Sequence, residues 1–97
     1  MADTLRWGIA STGTISNAMA TALATIDGVE IIAVGSRTRD AAQSFADAHS
    51  IPHVHGTYDD LWADPDVDVI YIGSPHSEHH SMTLAAVAAG KHVLCEK

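Results

Sequence analysis

Residues 8–16 read GIASTGTIS, a stretch in which two glycines stand among small and hydroxyl-bearing residues. It joins an apolar run, LRWGIA at 5–10, to an alanine-rich run, TISNAMATALATI at 14–26, whose apolar residues recur every three or four positions. The first run is typical of a strand covered on both faces, and the second of a helix with one apolar face. The stretch is therefore predicted to be a tight turn from a buried strand into a helix.

The rest of the chain repeats this alternation. Further strands are predicted at 29–36, 53–55, 67–73 and 92–96, and further helices at 39–50, 58–64 and 77–90. Strands that alternate with helices indicate a parallel sheet. We therefore predict a single α/β domain over residues 1–97, a doubly wound parallel sheet of Rossmann type that contains one mononucleotide-binding half and the start of a second.

The spacing of apolar residues also predicts which helix faces are buried. In the first helix the predicted buried face comprises Ile15, Met19, Ala22, Leu23 and Ile26. In the second helix it comprises Ala42, Phe45, Ala46 and His49. Both sets follow the helical repeat of 3.6 residues.

Composition excludes several classes of partner. The chain has 97 residues with five basic and twelve acidic side chains, a net charge of −7 with neutral histidines. Nucleic-acid binding requires clustered Lys and Arg, so no nucleic-acid partner is expected. No apolar run approaches the roughly 20 residues of a membrane span, and the start of the chain lacks the pattern of a secretory signal. We expect a cytoplasmic protein without a membrane partner.

The turn after the first strand has the position of a dinucleotide-binding fingerprint but only part of its residue pattern. In the pattern G-x-G-x-x-G the three positions fall on Ser11, Gly13 and Ser16. The second glycine lets the backbone approach a pyrophosphate, and it is kept. The alternative to nucleotide binding is that the turn has no ligand and only caps a helix, through a hydroxyl of Ser11, Thr12 or Thr14. The predicted cofactor contacts of the turn are Ser11, Thr12, Gly13, Thr14 and Ile15.

The end of the second predicted strand, GSRTRD at 35–40, indicates which cofactor is bound. NAD usually meets an acidic residue there, whereas the 2′-phosphate of NADP needs a cation and hydroxyl donors. Ser36 and Arg37 occupy this position, and Arg39 follows. We therefore predict NADP, with NAD as the alternative cofactor.

The segment after the fourth predicted strand lies beside the point where such sheets bind ligands. Its predicted cofactor contacts are Gly73, Ser74, Pro75, His76 and His79. A metal site formed by His76, His79 and His80 is the alternative function of this segment. No carboxylate or cysteine of matching spacing completes that set, so no metal site is predicted, and His80 is expected to face solvent.

Four segments together resemble a known family: RWGIASTGTIS, GSRTRDAAQSFADAH, YDDLWADPDVDVIYIGSPHSEH and GKHVLCEK. They are similar to the N-terminal domain of the glucose-fructose oxidoreductase, inositol dehydrogenase and MocA family of NAD(P)-dependent oxidoreductases, and within it to the dimeric dihydrodiol dehydrogenase branch. The resemblance implies that Lys97 lies near the nicotinamide and the reacting oxygen of the substrate, positioned by Glu96. It also implies a second domain, absent from this chain, that supplies the substrate pocket and a homodimer interface.

The resemblance implies a function for the longer parent protein. It is expected to transfer hydride between NADP and a sugar, polyol or diol, while the 97-residue chain alone is expected to be inactive. A nucleotide-sensing regulator on the same fold and a structural domain without a ligand are the two alternatives. The presence of Glu96 and Lys97 favours the enzyme.

Overall fold

The computed structural model describes residues 4–73 and 79–95, apart from the side chains of Thr14, His79, His80 and Cys95. Strands and helices alternate through the described chain. The strands are β1 (Leu5–Ala10), β2 (Val29–Gly35), β3 (His53–His55), β4 (Val69–Ile72) and β5 (His92–Cys95). The helices are α1 (Thr14–Leu23), α2 (Arg39–His49), α3 (Tyr58–Trp62) and α4 (His79–Ala88).

The described strands form one parallel sheet in the order β3-β2-β1-β4-β5. From β1 the chain moves outward through β2 to β3, and it then returns to place β4 on the other side of β1. This reversal of direction between β1 and β4 defines a doubly wound sheet. The predicted fold class is confirmed.

Two hydrophobic clusters cover the two faces of the sheet. Successive strand residues point to opposite faces, so Ile9 belongs to one cluster and Ala10 to the other. Helices α1 and α2 cover the first face with the buried residues Ala20, Leu23, Ala42, Phe45 and Ala46. Helices α3 and α4 cover the second face with Leu61, Trp62, Met82 and Ala86. The face predicted for α2 is thereby confirmed in its three apolar members.

A glycine in β2 allows the short helix α3 to lie close to the sheet. A Cβ atom added to Gly35 would lie 2.9 Å from the Cβ atom of Leu61. That distance is shorter than a real contact allows, and Leu61 is fully buried. The strand can therefore carry only a glycine where α3 crosses it.

The prediction for α1 is wrong in its length and in part of its buried face. The helix ends at Leu23, and tighter bonds, including the one from the Ile26 N–H to the Leu23 carbonyl, close residues 24–26 into a turn. Ile15 and Ile26 are 50% and 49% exposed. Ala22 is also exposed, whereas Leu23 is buried and Met19 packs against the same cluster, as predicted. The other buried positions of the helix are Ser16 and Ala20. Small residues face the sheet because α1 packs close to it, which turns the larger Ile15 outward.

The remaining boundaries differ from the predictions by a few residues at most. Helix α4 is followed by Gly90, whose φ of +85° gives the left-handed conformation expected of a glycine helix stop. Within residues 4–73 and 79–95, no helix is both long and apolar enough to cross a membrane.

Candidate dinucleotide-binding site

The loops that follow β1, β2 and β4 leave the sheet at its carboxyl-terminal edge. The N–H of Ser11 donates to the carbonyl of Gly35 (2.9 Å), and the N–H of Gly73 donates to the carbonyl of Ala10 (3.1 Å). These bonds hold the three strand ends side by side. The chain reverses direction between β1 and β4. In α/β proteins, ligands bind in a crevice at this point of the carboxyl-terminal edge.

Ser11 occupies the first glycine position of the fingerprint and adopts a glycine-like backbone conformation. Its φ is +90°, in the region that glycine reaches freely and that other residues occupy at a cost of roughly 1–3 kcal/mol. The tight turn that normally requires the first glycine is thus present with a serine.

Gly13 is the N-cap residue of α1, with φ −76° and ψ −174°, angles that any residue adopts. Apart from its two chain neighbours, no described residue has an atom within 4 Å of the position that a Cβ on Gly13 would take. The glycine is therefore needed neither for the backbone conformation nor for packing. It leaves open space in front of the first N–H groups of α1, which favour an anion such as a phosphate.

This arrangement bears on the capping alternative. The capping position belongs to Gly13, so none of Ser11, Thr12 and Thr14 occupies it. The side chain of Asn17 instead folds back and donates to the carbonyl of Gly13 at 3.1 Å. The hydroxyl residues of the turn thus remain outside the N-cap position.

The third fingerprint position, Ser16, is fully buried where α1 meets the end of β4. A Cβ on Gly73 would collide with the Oγ atom of Ser16. That Oγ atom has no hydrogen-bond partner within the described part of the chain. A small residue at 16 and a glycine at 73 together allow the helix to approach the strand end, as the fingerprint requires.

The loop after β2 presents the predicted 2′-phosphate residues. Ser36 is buried, and its N–H donates to the carbonyl of His55 (3.3 Å), while Arg37 is exposed at the tip. Thr38 caps α2 by accepting the N–H of Ala41 (3.2 Å). Arg39 is also exposed, but its guanidinium reaches back to the edge strand β3. Arg37 is thus an exposed arginine at the tip of this loop.

A surface hollow of about 330 Å³ lies between the turn after β1 and helix α2. Thr12 is the one predicted contact residue in its lining. The other lining residues are Asn17, Ala41, Ser44, Phe45 and Ala48. The hollow adjoins the fingerprint turn.

Comparison with known families agrees with this geometry. A family model described as an oxidoreductase family with an NAD-binding Rossmann fold (GFO_IDH_MocA) matches residues 5–97. The chain belongs to this family. The resemblance inferred from the four sequence segments is thereby confirmed.

Curated relatives of this family member are dihydrodiol dehydrogenases. The trans-1,2-dihydrobenzene-1,2-diol dehydrogenase of Xenopus laevis is 46% identical over 95% of the chain. The human enzyme of the same name is 44% identical over 96% of it. In each case the chain spans 28% of the length of the relative.

Solved structures show the same fold. The 3-ketoreductase KijD10 from Actinomadura kijaniata, in complex with TDP-benzene and NADP, superposes with a TM-score of 0.93 at 30% identity. That match covers 98% of this chain and 30% of the other. The apo scyllo-inositol dehydrogenase of Lactobacillus casei superposes with a TM-score of 0.90 at 28% identity, over 100% of this chain and 29% of the other.

Part of the predicted site lies outside the described residues. This holds for Ser74, Pro75 and His76, for the side chains of Thr14, His79 and His80, and for both predicted catalytic residues, Glu96 and Lys97. The structure therefore brings together the turn after β1, the tip of β2 and Gly73. The roles of the other residues stay predictions.

The amino-terminal edge of the sheet, opposite the crevice, carries ion pairs. Arg6 donates to Asp68 through its backbone N–H (3.1 Å) and its Nε atom (3.3 Å), which lowers the pKa of Asp68. The ammonium group of Lys91 donates to the carbonyls of Asp64 (2.6 Å) and Val67 (2.7 Å). These cations join the loops of that edge and are remote from the fingerprint turn.

Sequence reasoning missed one cluster of side chains. His53, His55 and Asp64 converge beside the edge strand β3, and both imidazoles contact the same carboxylate oxygen. Burial acts to raise the pKa of Asp64, but hydrogen bonds from His55, His53 and the N–H of Asp66 outweigh it and lower the pKa to about 2. The pattern His-Val-His on a predicted strand is the signal that places two imidazoles on one side.

Proposed function

We propose that this chain is the dinucleotide-binding part of an NADP-dependent oxidoreductase that acts on a sugar, polyol or diol. The observation that carries the proposal is the open N-terminus of α1 above Gly13, at the switch point of a doubly wound sheet. The family description and the names of the relatives, which are dehydrogenases and a ketoreductase, support an enzyme rather than a regulator.

The residues divide the cofactor between two loops. The first N–H groups of α1, with the turn residues 11–15, hold the pyrophosphate. Arg37 pairs with the 2′-phosphate, because a guanidinium recognises a phosphate through two parallel hydrogen bonds. The sequence GSRTR at 35–39 contains no acid to hold a free ribose hydroxyl, so NADP is preferred over NAD.

The reacting end of the cofactor belongs to the loop after β4 and to the segment after β5. We assign the contacts with the nicotinamide side to Gly73, Ser74, Pro75, His76 and His79. Bound NADP supplies the acceptor for the hydride that leaves the carbinol carbon of the substrate. Lys97, positioned by Glu96, takes the hydroxyl proton as the carbonyl forms.

The substrate pocket and the subunit interface are assigned to the part of the parent protein that lies outside this chain. The chain spans 28% of the curated relatives, and we assign the substrate-binding domain and a homodimer contact to the remainder. We place the parent in the cytoplasm, with a small-molecule substrate as its partner.

The experiment that tests the proposal is a calorimetric titration of the chain with NADPH and with NADH. A charge-assisted pair contributes about 1.5–3 kcal/mol, so NADPH should bind about one to two decades more tightly. Arg37→Ala should remove most of this preference.

Arg39→Ala is the matched control, since the guanidinium of Arg39 is engaged with the carbonyl of Val54 (3.4 Å). It should retain most of the preference. Equal affinity of the unsubstituted chain for the two cofactors would refute the NADP assignment, and binding of neither would refute the proposed site.

A further inference from the structure

The edge strand β3 presents two imidazoles on one face. His53 and His55 are two residues apart and so point the same way, whereas Val54 between them packs with the cluster beneath α1 and α2. The imidazoles therefore lie on the opposite face, which α3 covers. Their side chains are 36% and 21% exposed.

The loop that leaves α3 places a carboxylate beside these imidazoles. The N–H of Asp64 donates to the carbonyl of Leu61 (3.2 Å), which fixes the backbone, and the Asp64 side chain is 4% exposed. Its Oδ1 atom accepts the N–H of Asp66 at 2.9 Å. Its Oδ2 atom contacts His53 Nδ1 at 2.8 Å and His55 Nε2 at 2.9 Å. The carboxylate is thus oriented, with both imidazoles on the same oxygen.

The three ligand atoms lie near one another, and small side-chain rotations would give them the separations that a small metal ion requires. They all lie within 4.8 Å of one another. With metal–ligand distances of about 2.0–2.2 Å, two tetrahedral ligands stand about 3.3 Å apart. The two nitrogen-to-oxygen contacts would need to lengthen by roughly half an ångström to admit an ion, a change that rotation of partly exposed imidazoles provides.

We propose that His53, His55 and Asp64 form a binding site for a divalent transition-metal ion of the zinc class. Two imidazole nitrogens and one carboxylate oxygen are ligands that Zn²⁺ accepts, and water completes the coordination on the exposed side of His53. The bond from the Asp66 N–H to Oδ1 is the outer contact that holds the carboxylate in place.

A neutral imidazole can bind the metal ion without losing its ring proton. Each ring proton that points at Asp64 transfers through solvent to the other nitrogen of its ring, which frees the inner nitrogen for the metal. The bound ion would then connect β3, a strand of three residues at the edge of the sheet, to the loop between α3 and β4. The site shares no side chain with the proposed dinucleotide site and does not depend on it.

The test is a titration of the chain, first treated with a chelator, with ZnCl₂ by calorimetry and with CoCl₂ by visible absorption. One equivalent of Zn²⁺ should bind, and Co²⁺ should give the spectrum of a nitrogen- and oxygen-coordinated ion. His53→Gln and Asp64→Asn should each weaken binding at least about tenfold, the lower limit for loss of even an outer contact.

His49→Gln is the matched control. His49 lies on α2, on the opposite face of the sheet, where its Nε2 atom contacts Asn17 Oδ1 at 2.8 Å. This variant should bind zinc as tightly as the unsubstituted chain. Circular dichroism identifies any variant that fails to fold. If Asp64→Asn fails to fold, His53→Gln, which removes only a partly exposed side chain, is compared with His49→Gln.

The ring-proton NMR resonances of His53 and His55 give a readout that is independent of the variants. Both should shift when one equivalent of Zn²⁺ is added. Absence of stoichiometric binding, unchanged affinity in His53→Gln, or zinc binding that leaves these two resonances unmoved would each overturn the proposal.

Discussion

At the scale of single residues, Ser11 and Gly13 keep the separate roles of the first and second glycines of the fingerprint, although only one of them is a glycine. Ser11 has the glycine-like φ of +90°, whereas Gly13 has ordinary angles and open space around it. Gly13→Val should therefore fold with nearly unchanged stability but weaken NADPH binding at least about tenfold, because its branched side chain enters the space of the pyrophosphate. Calorimetric titration measures the affinity, and urea unfolding measures the stability.

Ser11→Gly is the opposite case. It should retain NADPH binding and raise the free energy of unfolding by about 1 kcal/mol, since glycine relieves the strained φ while adding freedom to the unfolded chain. Loss of binding in Ser11→Gly together with full binding in Gly13→Val would show that the turn merely begins a helix. The same two titrations and unfolding curves decide between these outcomes.

At the scale of elements, the contact between α1 and β4 depends on the smallness of Ser16 and Gly73. Gly73→Ala would drive its Cβ into the Ser16 Oγ atom and should cost about 1–3 kcal/mol of unfolding free energy, as overpacking does. Ser16→Ala in the same chain removes that Oγ, leaving the Ser16 Cβ at 3.5 Å, and should restore most of the loss. Urea unfolding of the single and double variants measures the coupling, and additive losses would contradict it.

The hydrogen bonds of Asp64, which join the α3–β4 loop to β3, make the stability of the fold depend on pH. The folded pKa of Asp64, about 2, lies below its ordinary value of 3.8. The carboxylate therefore stabilises the fold above about pH 4, and this contribution disappears as the pH falls towards 2. In chelator-treated protein, Asp64→Asn should be less stable than the unsubstituted chain at pH 6, and the difference should narrow between pH 4 and pH 2. A constant difference would contradict the assignment.

Elements were predictable from the sequence where local pattern and packing agree. The spacing of Phe45 and its neighbours placed the buried face of α2, which is a surface helix with a plain apolar stripe. The same rule misplaced Ile15 on α1, because the demand for small residues near Gly73 outweighs hydrophobicity there. The spacing of apolar residues indicates which helix face is hydrophobic. It does not indicate how close the helix lies to the sheet.

The part of the candidate site that lies at the ends of the strands could be predicted from the sequence. Ser11, Gly13 and Arg37 could be placed because parallel strands bring their carboxyl ends to one edge. The cluster of His53, His55 and Asp64 could not, since Asp64 reaches it through the packing of α3 and not through any spacing in the sequence. Contacts between elements that are distant in sequence require the tertiary structure.

At the scale of the whole molecule, the proposed function implies that this chain binds the cofactor and that turnover also needs a substrate pocket from the remainder of the parent. The described part of the site, the turn after β1 and the tip of β2, lies within the chain, which spans 28% of its curated relatives. The purified chain should therefore bind NADPH and show no dehydrogenase activity towards any sugar or diol. Measurable turnover by the chain alone would contradict the assignment of the substrate pocket to the remainder of the parent.

In that longer parent, Lys97 is expected to assist proton transfer at the substrate oxygen. Lysine has an ordinary pKa near 10.4, so a role in proton transfer at neutral pH requires one of two conditions. Either a substrate pocket desolvates the ammonium group and lowers its pKa, or the group acts as a fixed cation that polarises the substrate oxygen. Lys97→Met should leave NADPH affinity unchanged and lower kcat by about 10²–10⁴, the range for a lost acid–base group. Lys91→Met is the control, because Lys91 bonds to backbone carbonyls at the opposite edge of the sheet and should affect unfolding rather than kcat. Steady-state kinetics of both variants separates the two roles, and full activity in Lys97→Met would remove Lys97 from the mechanism.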